Sequence, residues 1–295
     1  MPGPMFAGSI TALLTPFKDG RLDEPALQNF VQWQIDQGTK AVVPCGTTGE
    51  SPTLSHEEDM RVTRLCVEVA AGQVPVIAGT GSNSTEEAIS LSRHAKEAGA
   101  DAVLVVAPYY NKPTQDGLYR HYKAIHDEVD IPIVVYNIPG RSIVDISVET
   151  MARLAELPNI IGVKDATADL ARPADTRLAI GPDFCQLSGE DATVVPFLAQ
   201  GGHGCISVTA NVAPRLCASL HEAWQKGDLA SVSQINDRLF PLHRALFAES
   251  SPGPVKYAAS LLKLCQNELR LPLVTVKPET EKLVYGAMVH AGLIN

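Results

Sequence analysis

The sequence has no apolar run near the roughly 18–20 residues that a membrane-spanning helix needs. It also lacks an excess of positive charge: 24 Lys and Arg stand against 33 Asp and Glu, for a net charge of −9 with histidine neutral. A nucleic-acid-binding surface needs the opposite balance, because basic groups must replace the counterions of the phosphates. Cysteine is sparse, and the six residues at 45, 66, 185, 205, 217 and 265 form no C-x-x-C pair and no zinc spacing. The eight histidines form neither H-x-H nor H-E-x-x-H, so no metal site is expected. A G-x-S-x-G nucleophile elbow is missing as well. Gly79-Thr80-Gly81-Ser82-Asn83-Ser84 fits neither G-x-G-x-x-G nor a P-loop, and reads as a strand-to-helix turn. The 17 residues before Lys18 carry no charge, yet they lack a basic n-region, and Pro2, Gly3, Pro4, Gly8 and Pro16 interrupt them. They read as mature chain, which makes the cysteines reduced thiols of a cytoplasmic protein.

What is present is a repeat of short aliphatic runs. They cover 9–15, 41–44, 74–78, 102–106, 131–136, 160–163, 184–187 and 204–208, with starts 20 to 33 residues apart. Continuous rather than alternating Val/Ile runs suit parallel strands buried on both faces. Helix signals lie between them. Ser55 with Glu58 and Ser84 with Glu87 fit the S-x-x-E capping box. Asp23 is placed to cap a helix over 25–37, whose Leu27, Phe30, Val31 and Ile35 form one apolar stripe. Gly38, Gly72 and Gly99 fall where left-handed caps end helices. After Val208 the pattern is helical, with breaks at 227–228, 251–254 and 271–278. The expected fold class is α/β: an eight-stranded parallel (β/α) TIM barrel over residues 1–225, with a helical subdomain over 226–295. The rival is an open doubly wound sheet, which has fewer strands and often a Gly-rich first turn. Here the first strand runs into Thr15-Pro16-Phe17 instead.

In a barrel, catalytic groups gather at the C-terminal ends of strands. One cation stands there, Lys164, directly after Ile160-Ile161-Gly162-Val163. Burial disfavours the ammonium, and a neutral amine attacks carbonyls to form a Schiff base. The plainer alternative is an ion pair with Asp165 or a neighbouring carboxylate, since structural ion pairs also perturb lysines. Tyr136 ends the preceding strand and offers a phenol for proton transfer, or simply the polar tip of a core-boundary ring. Thr47, Thr48 and Gly49 offer hydroxyls and N–H groups to a carboxylate, or form a plain turn. Arg141 stands on a turn-rich loop, where a guanidinium grips a second carboxylate bidentately or is merely solvated.

Taken together, GTTGES at 46–51, GTGSNST at 79–85, APYYNKP at 107–113, YNIPGR at 136–141, GVKDA at 162–166 and SGED at 188–191 resemble the dihydrodipicolinate synthase family. This family belongs to the pyruvate-dependent class I aldolases, which include N-acetylneuraminate lyase. The resemblance runs from about residue 6 to the C-terminus. YNIPGR is its most specific part; GTTGE and the lysine are shared more widely.

The resemblance implies a lyase of the diaminopimelate route to lysine, condensing pyruvate with L-aspartate 4-semialdehyde. It implies that Lys164 forms the pyruvate imine and that Tyr136 is the general acid and base. Thr48 would relay protons between Tyr136 and Tyr110, the latter reaching in from a neighbouring subunit. Thr47 and Thr48 would bind the pyruvate carboxylate, Gly189 and Ile206 would line the pocket, and Arg141 would hold the semialdehyde carboxylate. No metal or organic cofactor is implied, because the covalent imine is the electron sink. Partners are the two small substrates and further copies of the chain, as a tetramer built from two dimers, with no nucleic acid and no membrane. Ser51, His56, Asn83, Glu87 and Tyr109 match a lysine effector site. Pro52 and Asp59 depart from the alanine and histidine of some inhibited relatives.

Two other readings stay open on sequence grounds. One is a pyruvate aldolase acting on a sugar acid or hydroxy-keto acid, from which Arg141 is the discriminator. The other is an inactive barrel used as a binding module.

Overall fold

The computed structural model describes residues 4–295. The chain begins with strand β1 (Gly8–Ala12) and a small hairpin, β2 (Phe17–Lys18) and β3 (Arg21–Leu22). Helix α1 (Glu24–Asp36), β4 (Val42–Val43), α2 (His56–Ala70), β5 (Ile77–Gly79) and α3 (Thr85–Ala98) follow. Next come β6 (Ala102–Val106), α4 (Gln115–Glu128), β7 (Ile133–Asn137), the single turn α5 (Pro139–Ser142), α6 (Val148–Ala155) and β8 (Ile160–Asp165). The series continues with α7 (Arg172–Ile180), β9 (Cys185–Ser188), α8 (Val194–Ala199) and β10 (Gly204–Ser207). It ends in α9 (Pro214–Gln225), α10 (Leu229–Ala245), α11 (Gly253–Leu261) and α12 (Pro278–His290). Each of the eight expected aliphatic runs holds a strand, and the strands pair in parallel. This is the α/β barrel class that the run spacing predicts, with helices at the C-terminal end.

Two compact units divide the chain, one made of Pro75–Ile206 with the segment that ends at Ala7, the other of Gly8–Val74 and Ser207–Asn295. In the first, the strand order is β10-β9-β8-β7-β6-β5. Alternate residues of a strand face opposite ways. Val103, Val105, Ile133 and Val135 accordingly pack with Ala88 and Ala95 of α3, Leu118, Tyr122 and Ile125 of α4, and Met151 and Leu154 of α6. The opposite parity of β7 and β8 carries Val134, Tyr136, Gly162 and Lys164. Gly162 is required by close approach: a Cβ there would lie 2.4 Å from the carbonyl oxygen of Cys185.

In the second unit β1 pairs with β4, Thr11 opposite Val42. The α1 stripe differs from the expected one in its last member. Gln34, not Ile35, is buried, because its amide is fully used: it accepts from Thr11 Oγ1 at 2.8 Å and donates to the Ala210 carbonyl at 3.0 Å. Asp23 caps α1 by accepting from the Ala26 N–H. The Ser55–Glu58 capping box is complete. In the first unit, by contrast, Ser84 accepts from the Glu87 N–H, but the Glu87 carboxylate is taken by the Ser82 hydroxyl, so only half of the second box forms. Gly99 ends α3 in the left-handed conformation as expected, whereas α2 ends one residue early, with Ala71 left-handed ahead of Gly72.

Two features lie outside the sequence reading. The β2–β3 hairpin turns on Asp19 (φ 53°) and Gly20 (φ 77°), the Asp-Gly pair that a tight primed turn favours. The third C-terminal break is also longer than expected, since α11 stops at Leu261 and α12 starts at Pro278. No helix among the described residues is long and apolar enough to cross a membrane.

Candidate active site

Parallel pairing sets Tyr136 on β7 directly beside Lys164 on β8, and Lys164 beside Leu187 on β9. Tyr136 and Lys164 are each only 6% exposed. The ammonium Nζ stands 4.2 Å from the centroid of the Tyr136 ring. Among the described residues no carboxylate lies within ion-pair distance of it. The Asp165 carboxylate, the obvious candidate, accepts instead from the backbone N–H and hydroxyl of Thr167 at 2.8 and 2.7 Å. Burial pushes the Asp165 carboxyl up, opposed by those bonds and by Arg172. The ion-pair reading of Lys164 with Asp165 is therefore not what the fold builds. A buried lysine against an aromatic face, without a carboxylate in ion-pair distance, has the surroundings in which an amine can serve as a nucleophile.

Four strand ends of the same unit carry the other candidates. Past β9, the Gly189 N–H donates to the Asp165 carbonyl at 2.6 Å, and a Cβ on Gly189 would lie 3.2 Å from Lys164 Cε. The bare glycine leaves room for the lysine arm. The next residue, Glu190, is a half-buried carboxyl pushed up by desolvation and by Asp191, while the positive charges of Lys164 and Arg141 oppose the shift. Ile206 on β10 is fully buried. Past β7, Arg141 is exposed on α5, whose N–H groups at Arg141 and Ser142 both reach the Ile138 carbonyl. Past β6, Tyr109 is half-buried, whereas Tyr110 is 88% exposed on a backbone with φ of 73°. A large ring held outward on a left-handed backbone is a strained feature without a local packing reward.

In the other unit Thr47 and Thr48 form the turn after β4. The Gly49 N–H returns to the Gly46 carbonyl at 3.0 Å and the Glu50 N–H to the Thr47 carbonyl at 3.1 Å. Thr48 is buried and Thr47 half-buried. Thr15 donates to the Gly49 carbonyl at 2.7 Å, and a Cβ at Gly49 would crowd Leu13, Thr15 and Cys45 at 3.2 Å. Directly before this turn, Cys45 has its thiol pushed well up by burial, so it is no nucleophile.

Sequence reading missed what holds the turn from behind. Glu50 has φ of 57° and is fully buried against Lys256 of α11, Nζ to Oε1 2.5 Å, at an angle outside hydrogen-bonding geometry. Lys256 donates to the Glu268 carbonyl at 2.7 Å and lies over the Phe17 ring, while the Arg270 N–H donates to the second Glu50 oxygen at 3.0 Å. Arg270 in turn grips Glu58 with two bonds of 2.6 Å. Glu50 stands inside GTTGES, but nothing in the local sequence points to a partner in the C-terminal helices.

Of the expected effector residues, Ser51 opens a short turn after Glu50, and His56 is the exposed first residue of α2. Asp59, one of the departures, is buried beside Cys45. Asn83, Glu87 and Tyr109 belong to the first unit; the Asn83 carbonyl accepts from Asn111 at 2.8 Å. No cluster of three His, Cys, Asp or Glu among the described residues is placed to hold a metal ion.

Comparison with known proteins gives the family. The model of the dihydrodipicolinate synthetase family matches residues 5–291. A relative from Rhodospirillum centenum named 4-hydroxy-tetrahydrodipicolinate synthase is 69% identical over 98% of this chain and 100% of its own length. The chloride-inhibited dihydrodipicolinate synthase of Acinetobacter baumannii, solved with pyruvate, superposes with a TM-score of 0.95 at 45% identity, covering 98% of this chain and 99% of that one. The corresponding enzyme of Cyanidioschyzon merolae, solved with lysine bound, has a TM-score of 0.96 at 38% identity over 99% of this chain and 100% of that one. Likeness of this extent goes well beyond a shared barrel, and the chain belongs to the dihydrodipicolinate synthetase family.

Proposed function

We propose that this protein is a lyase that condenses pyruvate with L-aspartate 4-semialdehyde through an imine on Lys164, yielding 4-hydroxy-tetrahydrodipicolinate. The observation that carries the reading is the buried Lys164–Tyr136 pair, in register on neighbouring strands, with no carboxylate paired to the amine. The Lys164 amine adds to the pyruvate ketone, and the carbinolamine loses water to an iminium. Tyr136 moves the protons of both steps. Loss of a methyl proton gives an enamine, with the iminium nitrogen taking the electron pair, so the chemistry calls for no metal or organic cofactor. The enamine carbon attacks the aldehyde. The product's own amine then displaces Lys164 and closes the ring.

Thr47 and Thr48 take the pyruvate carboxylate in this reading, Thr48 also relays protons, and Gly189 and Ile206 line the pocket. Arg141 takes the carboxylate of the semialdehyde, which favours an amino-aldehyde acid over the polyol chain of a sugar acid. The outward Tyr110 supports a second copy of the chain that receives it, in a homo-oligomer built from dimers. Lysine is assigned as effector at Ser51, His56, Asn83, Glu87 and Tyr109. The reaction belongs to amino-acid biosynthesis in the cytoplasm.

The test is borohydride trapping of labelled pyruvate, followed by peptide mapping, alongside turnover coupled to NADPH loss through dihydrodipicolinate reductase. Label on the Lys164 peptide, lost together with turnover in Lys164→Ala, is the expected result. Label on another lysine refutes the assignment. Label on Lys164 without turnover keeps the imine and refutes the acceptor.

A further inference from the structure

The loop that carries Arg141 is closed at its base by side chains that no reacting group touches. Asn137, the last residue of β7, is 1% exposed. Its Oδ1 accepts from the Ile146 N–H at 3.1 Å and its Nδ2 donates to Asp145 Oδ1 at 2.7 Å. One buried amide thus ties the start of the segment 138–146 to its end. The other oxygen of Asp145 accepts from Arg172 Nη2 at 2.5 Å, and Arg172 Nη1 donates to the Ile146 carbonyl at 2.8 Å. Gln115 adds a third tie, donating to the Asp145 carbonyl at 2.7 Å and accepting from the Ser147 N–H at 3.1 Å.

The loop needs this closure because its interior is strained. Ile143, two residues after Arg141, has φ of 68° and is 64% exposed. A β-branched side chain is unfavourable on that side of the backbone map, and this one has no burial to offset the strain. What opposes relaxation is the bonding of Ser142, whose Oγ lies 2.9 Å from the carbonyls of both Ile138 and Val144, and the clamp at the ends. Relaxing Ile143 would swing α5 and the guanidinium on it.

We propose that Asp145 and Arg172 are positioning residues for Arg141. Arg172, at the start of α7, fixes Asp145 and Ile146; these fix the ends of the loop; the loop aims the Arg141 guanidinium at the substrate carboxylate. The proposal rests on the reading that Arg141 binds the semialdehyde. A guanidinium suits Arg172 better than an ammonium, since its planar fork serves a carboxylate and a carbonyl at once.

The test is a double-mutant cycle of Arg172→Ala with Arg141→Ala, reading KM for each substrate, kcat, borohydride trapping and melting temperature. Arg172→Ala is expected to raise the semialdehyde KM about tenfold, as misplacement of a binding group does. Because Arg172 also stands 3.9 Å from the Asp165 carboxylate, next to Lys164, Asp145→Asn, which leaves that contact in place, is the variant expected to do the same with pyruvate KM and trapping on Lys164 unchanged. Arg172→Lys should restore part of the loss. In the Arg141→Ala background the second substitution should add almost nothing, because residues acting through one another are not additive. Losses that multiply across the cycle, or a parallel fall in pyruvate trapping in Asp145→Asn, overturn the positioning role alone. An unchanged semialdehyde KM in Arg141→Ala strikes the anchor role of Arg141, and the proposal with it. Should Arg172→Ala melt below the assay temperature, Asp145→Asn carries the same cycle with the same outcomes.

Discussion

Residue 189 lies against the Lys164 arm and has no room for a methyl group. An added Cβ would stand 2.8 Å from Ala166 Cβ and 3.2 Å from both the Asp165 carbonyl and Lys164 Cε. Ala166 Cβ, the nearest of the three, cannot rotate away, and Gly189 and Asp165 are hydrogen-bonded, so the strand end has to shift and the lysine arm beside it moves with it. Gly189→Ala is therefore expected to slow pyruvate trapping about tenfold or more, in line with the sensitivity of reacting groups to misplacement by ~1 Å. Trapping rates compared with wild type, with circular dichroism as the control for folding, check this. At this scale Lys164 and Tyr136 were legible because a lone cation and a phenol at strand ends stand out against Val and Ile. The need for glycine at 189 was not, because it arises from contacts across β8 and β9 that local sequence does not encode.

Helices α3 and α4 meet through a titratable side chain. His121 is 5% exposed, its Nδ1 lies 2.9 Å from Thr85 Oγ1, and its Nε2 has no hydrogen-bond partner. Desolvation pushes it down to about 4 from an ordinary value of 6.5. The unfolded chain therefore binds the proton more readily than the folded one across that window. Its contribution to stability is complete above pH 6.5 and is lost as pH falls towards 4. At about 1.36 kcal/mol per unit, the loss is on the order of 3 kcal/mol. His121→Asn should flatten this acid limb in urea melts between pH 7 and 4; an unchanged slope would locate the titrating group elsewhere. Legibility at the scale of elements followed the strength of the local signal. All eight barrel strands were found because uninterrupted Val/Ile runs have little other use. The β2–β3 hairpin was missed although Asp19-Gly20 marks it, because its two-residue strands carry no hydrophobic run. Half of the Ser84 box was misread because Ser82, two residues upstream, competes for Glu87.

Within the unit formed by Gly8–Val74 and Ser207–Asn295, the Glu50–Lys256 pair is the most demanding electrostatic feature. Both groups are fully buried, and burial pushes the Lys256 ammonium down while Glu50 holds it up. Removing one partner strands a charge. Lys256→Met should cost about 3–5 kcal/mol of stability. Glu50→Gln combined with Lys256→Met should recover much of that, since a glutamine oxygen still accepts from the Arg270 N–H. Urea unfolding of the single and double variants checks both figures, and a double variant no more stable than the single one contradicts the charge argument.

The same pair also imposes an order of events on the newborn chain. Glu50 and Lys256 lie about 200 residues apart, and a ribosome adds ~5–20 residues per second. For about ten to forty seconds the GTTGES segment therefore exists without the cation that neutralises its carboxylate. During that interval Glu50 has neither the Lys256 ammonium nor the Arg270 N–H beside it, while the strands of Pro75–Ile206 are already emerging. The turn expected to receive pyruvate is thus among the first sequences made, and the carboxylate behind it is among the last side chains to meet its partners.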